Sequence, residues 1–98
     1  MIRHTVMLRW VDEATAEQRE AVRTELSALP PVIPEIRSFT VGPDAGLAEG
    51  NYDLVVSGDF DDVAGWRTYM EHPVHQQVIV ERIRPILAAR AAVQTELP

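Results

Sequence analysis

Ninety-eight residues are enough for one domain spanning residues 1–98 and leave no room for a second core. Fifteen acids against nine bases give a net charge of −6, which argues against the basic face that nucleic acid or an anionic membrane surface would require. Apolar residues at 46%, charged residues at 24% and no cysteine describe a globular chain without disulfides or thiolate chemistry, as expected in a reducing cytoplasm.

No window approaches the roughly eighteen apolar residues of a membrane span, and the opening residues lack the apolar run of a signal peptide, so a cytoplasmic location is expected. From Ile2 to Trp10 the chain alternates, with Ile2, His4, Val6, Leu8 and Trp10 on one face and Arg3, Thr5, Met7 and Arg9 on the other. Period-two alternation predicts a strand with one strongly apolar face. Thr15 and Gln18 then have capping-box spacing, in which each side chain satisfies an amide of the first helical turn. The helix should run to about Leu29, with Gln18, Val22, Leu26 and Leu29 as its buried stripe, and Pro30-Pro31 should stop it.

A second strand is predicted over Ile36 to Val41, followed by a turn-rich loop from Gly42 to Asn51. That loop lacks the Gly-Lys-Ser/Thr ending and the following helix of a phosphate-binding loop. Tyr52 to Phe60 alternates again, and Gly58 within it marks a bulge or a close approach. Asp61 or Asp62 should cap a helix carrying Val63, Trp66, Tyr69 and Met70, broken at His72-Pro73. A further helix from Val74 to about Arg84 should end at Pro85, and Ile86 to Leu97 is predicted as a fourth strand.

The order strand, helix, strand, strand, helix, strand predicts an α+β, ferredoxin-like β-α-β-β-α-β fold with both helices on one face of an antiparallel sheet. The helices are expected over Val6, Leu8, Leu54 and Val56. The opposite face is expected to carry Met7, Phe39, Val41 and Val55 among Thr5, Arg9, Asp53 and Ser57. Nothing in one chain would cover that face, so a homodimer packed sheet against sheet is expected.

Chemistry concentrates in Tyr69-Met70-Glu71-His72-Pro73-Val74-His75, which holds a phenol, two imidazoles and a carboxylate. His75 titrates near neutral pH and is a candidate general base, with Tyr69 to donate a proton to a developing enolate. The same pair would equally serve as buried polar groups that satisfy each other. His4 on an apolar strand face reads as a pocket residue, and His72 before proline as a cap. The histidine spacing does not suggest a metal site, and no cofactor is implied. Glu49, Asp53 and Glu71 read as solvated surface.

The run His4-Thr5-Val6-Met7-Leu8-Arg9-Trp10, the pair Asp12-Glu13 and the pattern Tyr69-x-x-His72-Pro73-x-His75 together resemble the stress-responsive dimeric α/β-barrel (Dabb) family over essentially the whole chain. The resemblance implies a homodimeric barrel with a small apolar pocket in each subunit. It is similar to the family's plant polyketide cyclases, in which a tyrosine and a histidine of this motif perform acid–base chemistry. By motif position Tyr69 and His75 would take those roles, with His4, Val6, Leu8, Val22, Leu26 and Val56 lining the pocket around a small apolar or polyketide-like ligand. Where those cyclases carry bulky aromatics on the first helix, this chain has Val22, Arg23 and Leu26, which implies a pocket of different shape. Shared fold does not carry shared reaction. A non-catalytic small-ligand-binding dimer and a cofactor-independent monooxygenase remain the alternatives.

Overall fold

The alternation from Ile2 to Trp10 forms the first strand, β1, of a computed structural model that describes residues 1–98. After it come α1 (Ala16–Ser27), β2 (Ser38–Pro43), β3 (Leu54–Phe60), α2 (Val63–Glu71), α3 (Pro73–Val78) and β4 (Leu87–Glu96). Between α3 and β4 the helical path continues through a wide π turn over Ile79–Ile83 and a 3-10 turn over Arg84–Ile86. Pro85 therefore lies inside the last turn and does not end the helix at Arg84. Its missing amide fits a segment where the ordinary helical ladder has already been abandoned.

The sheet order is β2-β3-β1-β4 with every neighbouring pair antiparallel, the ferredoxin-like arrangement. Val6 stands opposite Val56 on one side and Ala92 on the other, and this register places β1 and β3 at the sheet's centre. His4, Val6, Leu8 and Trp10 are buried under the helices, as the alternation predicts. Twelve residues of helix are marginal alone in water. Here α1 is held by Val22 and Leu26, both essentially inaccessible, each side chain contributing about 1.5–3 kcal/mol on burial. The Thr15–Gln18 capping box forms reciprocally, but Gln18 is exposed and does not belong to the buried stripe. A residue occupied with the N-terminal amides of its own helix cannot also point into the core.

Four further expectations are corrected. β2 begins at Ser38, two residues late, because Ile33 to Ile36 close a turn in which the Ile36 amide donates to the Ile33 carbonyl at 3.1 Å. Phe39 and Val41 also face the helices, not the open side. They pair with Gly58 and Val56, and directly opposed residues of an antiparallel pair share a face. β3 likewise starts at Leu54, with Asp53 just outside it. Asp53 is not free surface: its carboxylate accepts the Trp10 amide at 2.8 Å, and its own amide donates to the Leu8 carbonyl at 2.9 Å. Gly58 is the close approach its sequence position suggests. A Cβ there would sit 3.1 Å from Cδ1 of the Phe39 ring, so glycine lets that ring lie across β3. The outer face retains Thr5, Met7, Val55 and Ser57, and β4 adds Val93 opposite Thr5, with Met7 41% and Val93 55% exposed.

Candidate active site

The site is built at the junction of α2 and α3. Asp62 caps α2 by accepting the Gly65 amide at 2.8 Å, and Tyr69 lies in the last turn with its side chain buried. His72 then adopts extended backbone and serves both helices. Its amide donates to the Tyr69 carbonyl at 3.2 Å, and its Nδ1 accepts the Val74 amide at 3.1 Å. Pro73 follows at the first turn of α3, where no amide is needed. The change of direction brings His75 under α2, its ring centroid 4.2 Å from that of Tyr69 and the planes inclined by 34°.

The imidazole of His75 has one bond to protein, from Nδ1 to the Met70 carbonyl at 3.4 Å. A carbonyl only accepts, so this contact places the proton on Nδ1 and leaves the Nε2 lone pair available. Burial holds the ring's pKa below 6.5; the Met70 bond works against that, and the charges of His72 and Arg90 add to it. His75 is thus neutral at pH 7, the form a general base requires. Tyr69 has the complementary state. Burial raises its pKa above 10.0, so it stays a phenol, and its hydroxyl makes no hydrogen bond within the protein. Tyr69 packs among Phe39, Phe60 and His4, with ring centroids at 6.0, 5.1 and 6.1 Å.

His4 reaches the same cluster from β1. Its Nδ1 lies 2.9 Å from the Gln94 carboxamide nitrogen, which donates to it and leaves the neutral ring's proton on Nε2. Burial, then Arg90, then His75 lower its pKa from 6.5 to about 4. Trp66 borders His4 at 6.0 Å, and its buried indole N–H has no partner.

A cavity of about 290 Å³ opens beside these rings, between sheet and helices. Of the residues singled out from sequence, His4, Val6, Leu8, Leu26, Val56, Tyr69 and His75 all line it. Val22 does not; it is sealed beneath α1. The remaining wall comes from residues that the sequence did not single out. Met70 and Gln76 flank the motif, Ile79, Ile83 and Arg84 come from the π and 3-10 turns, and Leu87 and Arg90 from β4. Inserted π turns often shape functional sites in this way. One signal was available for Arg90: it is the lone charge in the small-residue run Leu87–Val93. No group of three or more His, Asp or Glu side chains is placed to hold a metal ion. No helix is long and apolar enough to cross a membrane.

The family model of the stress-responsive A/B barrel domain matches residues 2–97. Among solved structures, the chain is similar to a dimeric ferredoxin-like protein of unknown function from Thermobifida fusca, at 47% identity and TM-score 0.90, covering 98% of this chain and 90% of that one. A second dimeric ferredoxin-like protein of unknown function, from Jannaschia, matches at 25% identity and TM-score 0.78, covering 98% of each chain. A hydroxynitrile lyase from Passiflora edulis shares the fold at 17% identity and TM-score 0.86, covering 99% of this chain and 93% of that one. Comparison with curated protein sequences gives no match.

Proposed function

This chain belongs to the stress-responsive A/B barrel domain (Dabb) family, and we propose that it is a cofactor-free lyase or cyclase for a small, largely apolar carbonyl substrate. The observation that carries this reading is the Tyr69–His75 contact at the wall of an open cavity, each ring in the protonation state the chemistry needs. Had the pair been sealed without a cavity, a purely structural role would be the better account.

In this mechanism Nε2 of His75 takes an acidic proton from the carbon next to a carbonyl. The C–H electron pair passes into the enolate, and the Tyr69 hydroxyl donates a hydrogen bond to its oxygen. The enolate carbon attacks a second carbonyl of the same substrate, forming a carbon–carbon bond, and the new alkoxide takes the proton back from His75. No redox step is involved. In Passiflora edulis the same fold serves a hydroxynitrile lyase, which supports lyase chemistry in a barrel of this shape. The chain carries no cysteine, which suits work in a reducing cytoplasm.

The test is turnover of poly-β-keto acids, offered as the free acids and as N-acetylcysteamine thioesters, whose more distant carbonyls allow ring closure, with product and substrate separated by liquid chromatography. His75→Ala should lower the rate about 10²–10⁴-fold with the circular dichroism spectrum unchanged. Full activity in that variant on a turned-over substrate would sink the mechanism.

The reading includes a homodimer. The uncovered outer face with Met7 and Val93 supports it, as does the dimeric Thermobifida fusca protein. Light scattering should give about twice the 11.0 kDa chain mass, and Met7→Asp should shift the protein towards monomer. A monomeric parent protein at micromolar concentration would rule the dimer out.

A further inference from the structure

The cavity's charge runs against that of the chain. All nine bases are arginines, outnumbered by fifteen acids, yet no Asp or Glu lines the cavity while Arg84 and Arg90 both do. Four of the other arginines are held in ion pairs: Arg3 with Asp59, Arg23 with Glu20, Arg37 with Asp61 and Arg82 with Glu25. Arg9 lies over the Tyr52 ring and donates to the Gly50 carbonyl. The remaining four, Arg19, Arg67, Arg84 and Arg90, have neither an ion pair nor a side-chain hydrogen bond to the protein, and of these only Arg84 and Arg90 line the cavity.

They also come from different elements. Arg84 is delivered by the 3-10 turn, and Arg90 by β4, where pairing with Leu8 turns it towards the helices. Both are exposed residues that still line the cavity, which puts them at its opening. Arg90 is close enough to depress the pKa of both His4 and His75, so its charge is felt at the depth where the aromatic cluster lies. One solvated arginine at a rim would mean little. Two unpaired ones lining one cavity with no acid present give it a net positive charge that suits an anion.

We propose that the substrate of this cavity carries a carboxylate, held at the opening by Arg84 and Arg90, with its apolar body inward against Leu8, Leu26 and Ile83. The inference rests on the reading of the cavity as a substrate site and names the class of molecule that enters it. At about 30 Å³ per water, 290 Å³ corresponds to about ten waters, so the ligand is a short-chain or single-ring acid.

Hexanoate and its neutral isostere hexanamide provide the test, titrated into the full chain while the ring signals of Tyr69 and His75 are followed by NMR. Hexanoate should bind about 10-fold more tightly, and the difference should shrink as salt is raised. Arg84→Gln and Arg90→Gln should each weaken hexanoate about 5-fold and leave hexanamide unchanged, since exposed charges contribute modestly one at a time. Equal binding of acid and amide, or indifference of hexanoate to both substitutions, overturns the proposal. Coenzyme A binding in place of hexanoate, with loss in the same variants, assigns the arginines to a phosphate and overturns it too. His75→Ala should leave the preference for acid over amide intact. That preference together with a fully active His75→Ala variant would remove the general base but keep the carboxylate site, and the opposite pair of results would do the reverse.

Discussion

The two faces of the sheet treat their buried polar groups in opposite ways. On the outer face, the Asp59 carboxylate takes the Arg3 guanidinium through bonds of 2.8 and 3.0 Å and the Ser38 hydroxyl at 2.7 Å. On the inner face, the buried Trp66 N–H has no partner, the Tyr69 hydroxyl at the cavity wall makes no hydrogen bond to the protein, and His75 has a single long contact. Burial alone does not separate the two sets: Asp59 is 7% exposed and His75 6%. What separates them is saturation and the cavity. Buried polar groups in folded proteins are nearly always satisfied, and one left open costs about 1–3 kcal/mol. A group left unbonded at the wall of an open cavity, as Tyr69 is, is available to a ligand; a carboxylate with both oxygens bonded to neighbouring side chains, as Asp59 is, is holding the fold.

The sharpest way to break this contrast is Tyr69→Phe. It removes one oxygen and no intramolecular hydrogen bond, so folding stability should change by no more than about 0.5 kcal/mol in urea titration. Turnover should nevertheless fall about 10²-fold, the usual loss when one donor to a developing oxyanion is deleted. A variant that loses more than about 1 kcal/mol of stability while keeping its rate would show that the hydroxyl belongs to the fold.

Acid is the second probe, because the inner histidines are folded in their neutral form. The unfolded chain binds a proton at His4 near 6.5, whereas the folded chain resists until about 4. Between those values the unfolded state carries more protons, so stability falls as pH drops through this window and levels off below it. His75, also lowered, contributes with the same sign. The expected loss from His4 is on the order of 2 kcal/mol, less than the full linkage value because the cavity beside its ring admits solvent. Urea midpoints measured from pH 7 to pH 4 should show the fall, and His4→Gln should lessen it, with His75 supplying the remainder. A flat profile in the parent protein would mean that the ring is charged, or freely solvated, when folded.

Much of this contrast could be read in the sequence, and the part that could not has a common cause. The alternation in β1 placed His4, Val6 and Leu8 inward because burial on one face imposes a period of two. The break at His72-Pro73 located Tyr69 and His75 because proline at a helix start is a local signal. Phe39 and Val41 were assigned to the wrong face because alternation fixes which residues share a side, and pairing fixes which side that is. Arg84 and Arg90 escaped for a related reason: they share one cavity only because a 3-10 turn and the strand after it both line it, which no periodicity announces. Val22 failed in the other direction, since a residue on the correct helix stripe can lie too deep to touch the cavity.

The outer face gives the smallest effect. Asp59→Ala leaves the Arg3 guanidinium and the Ser38 hydroxyl without their shared acceptor, but the Arg3 side chain is 47% exposed and water can replace much of what it loses. The expected cost is about 1 kcal/mol, the upper end of the range for an exposed pair, since the carboxylate is buried and only the guanidinium meets water. Turnover should be unchanged within about two-fold, because Asp59 lies on the opposite side of the sheet from the cavity. The carboxylate also has its own pH window. Bonding to Arg3 holds its pKa below 3.8, so its stabilisation is present above that value and is lost only as pH falls through the lower, folded one. The parent protein should therefore lose stability in two acid windows, the first from His4 and His75 and the second from Asp59 and the likewise lowered Asp61. Asp59→Ala should shrink the second and leave the first. If the substitution abolishes turnover while stability holds, saturation fails as a guide to which face does the chemistry.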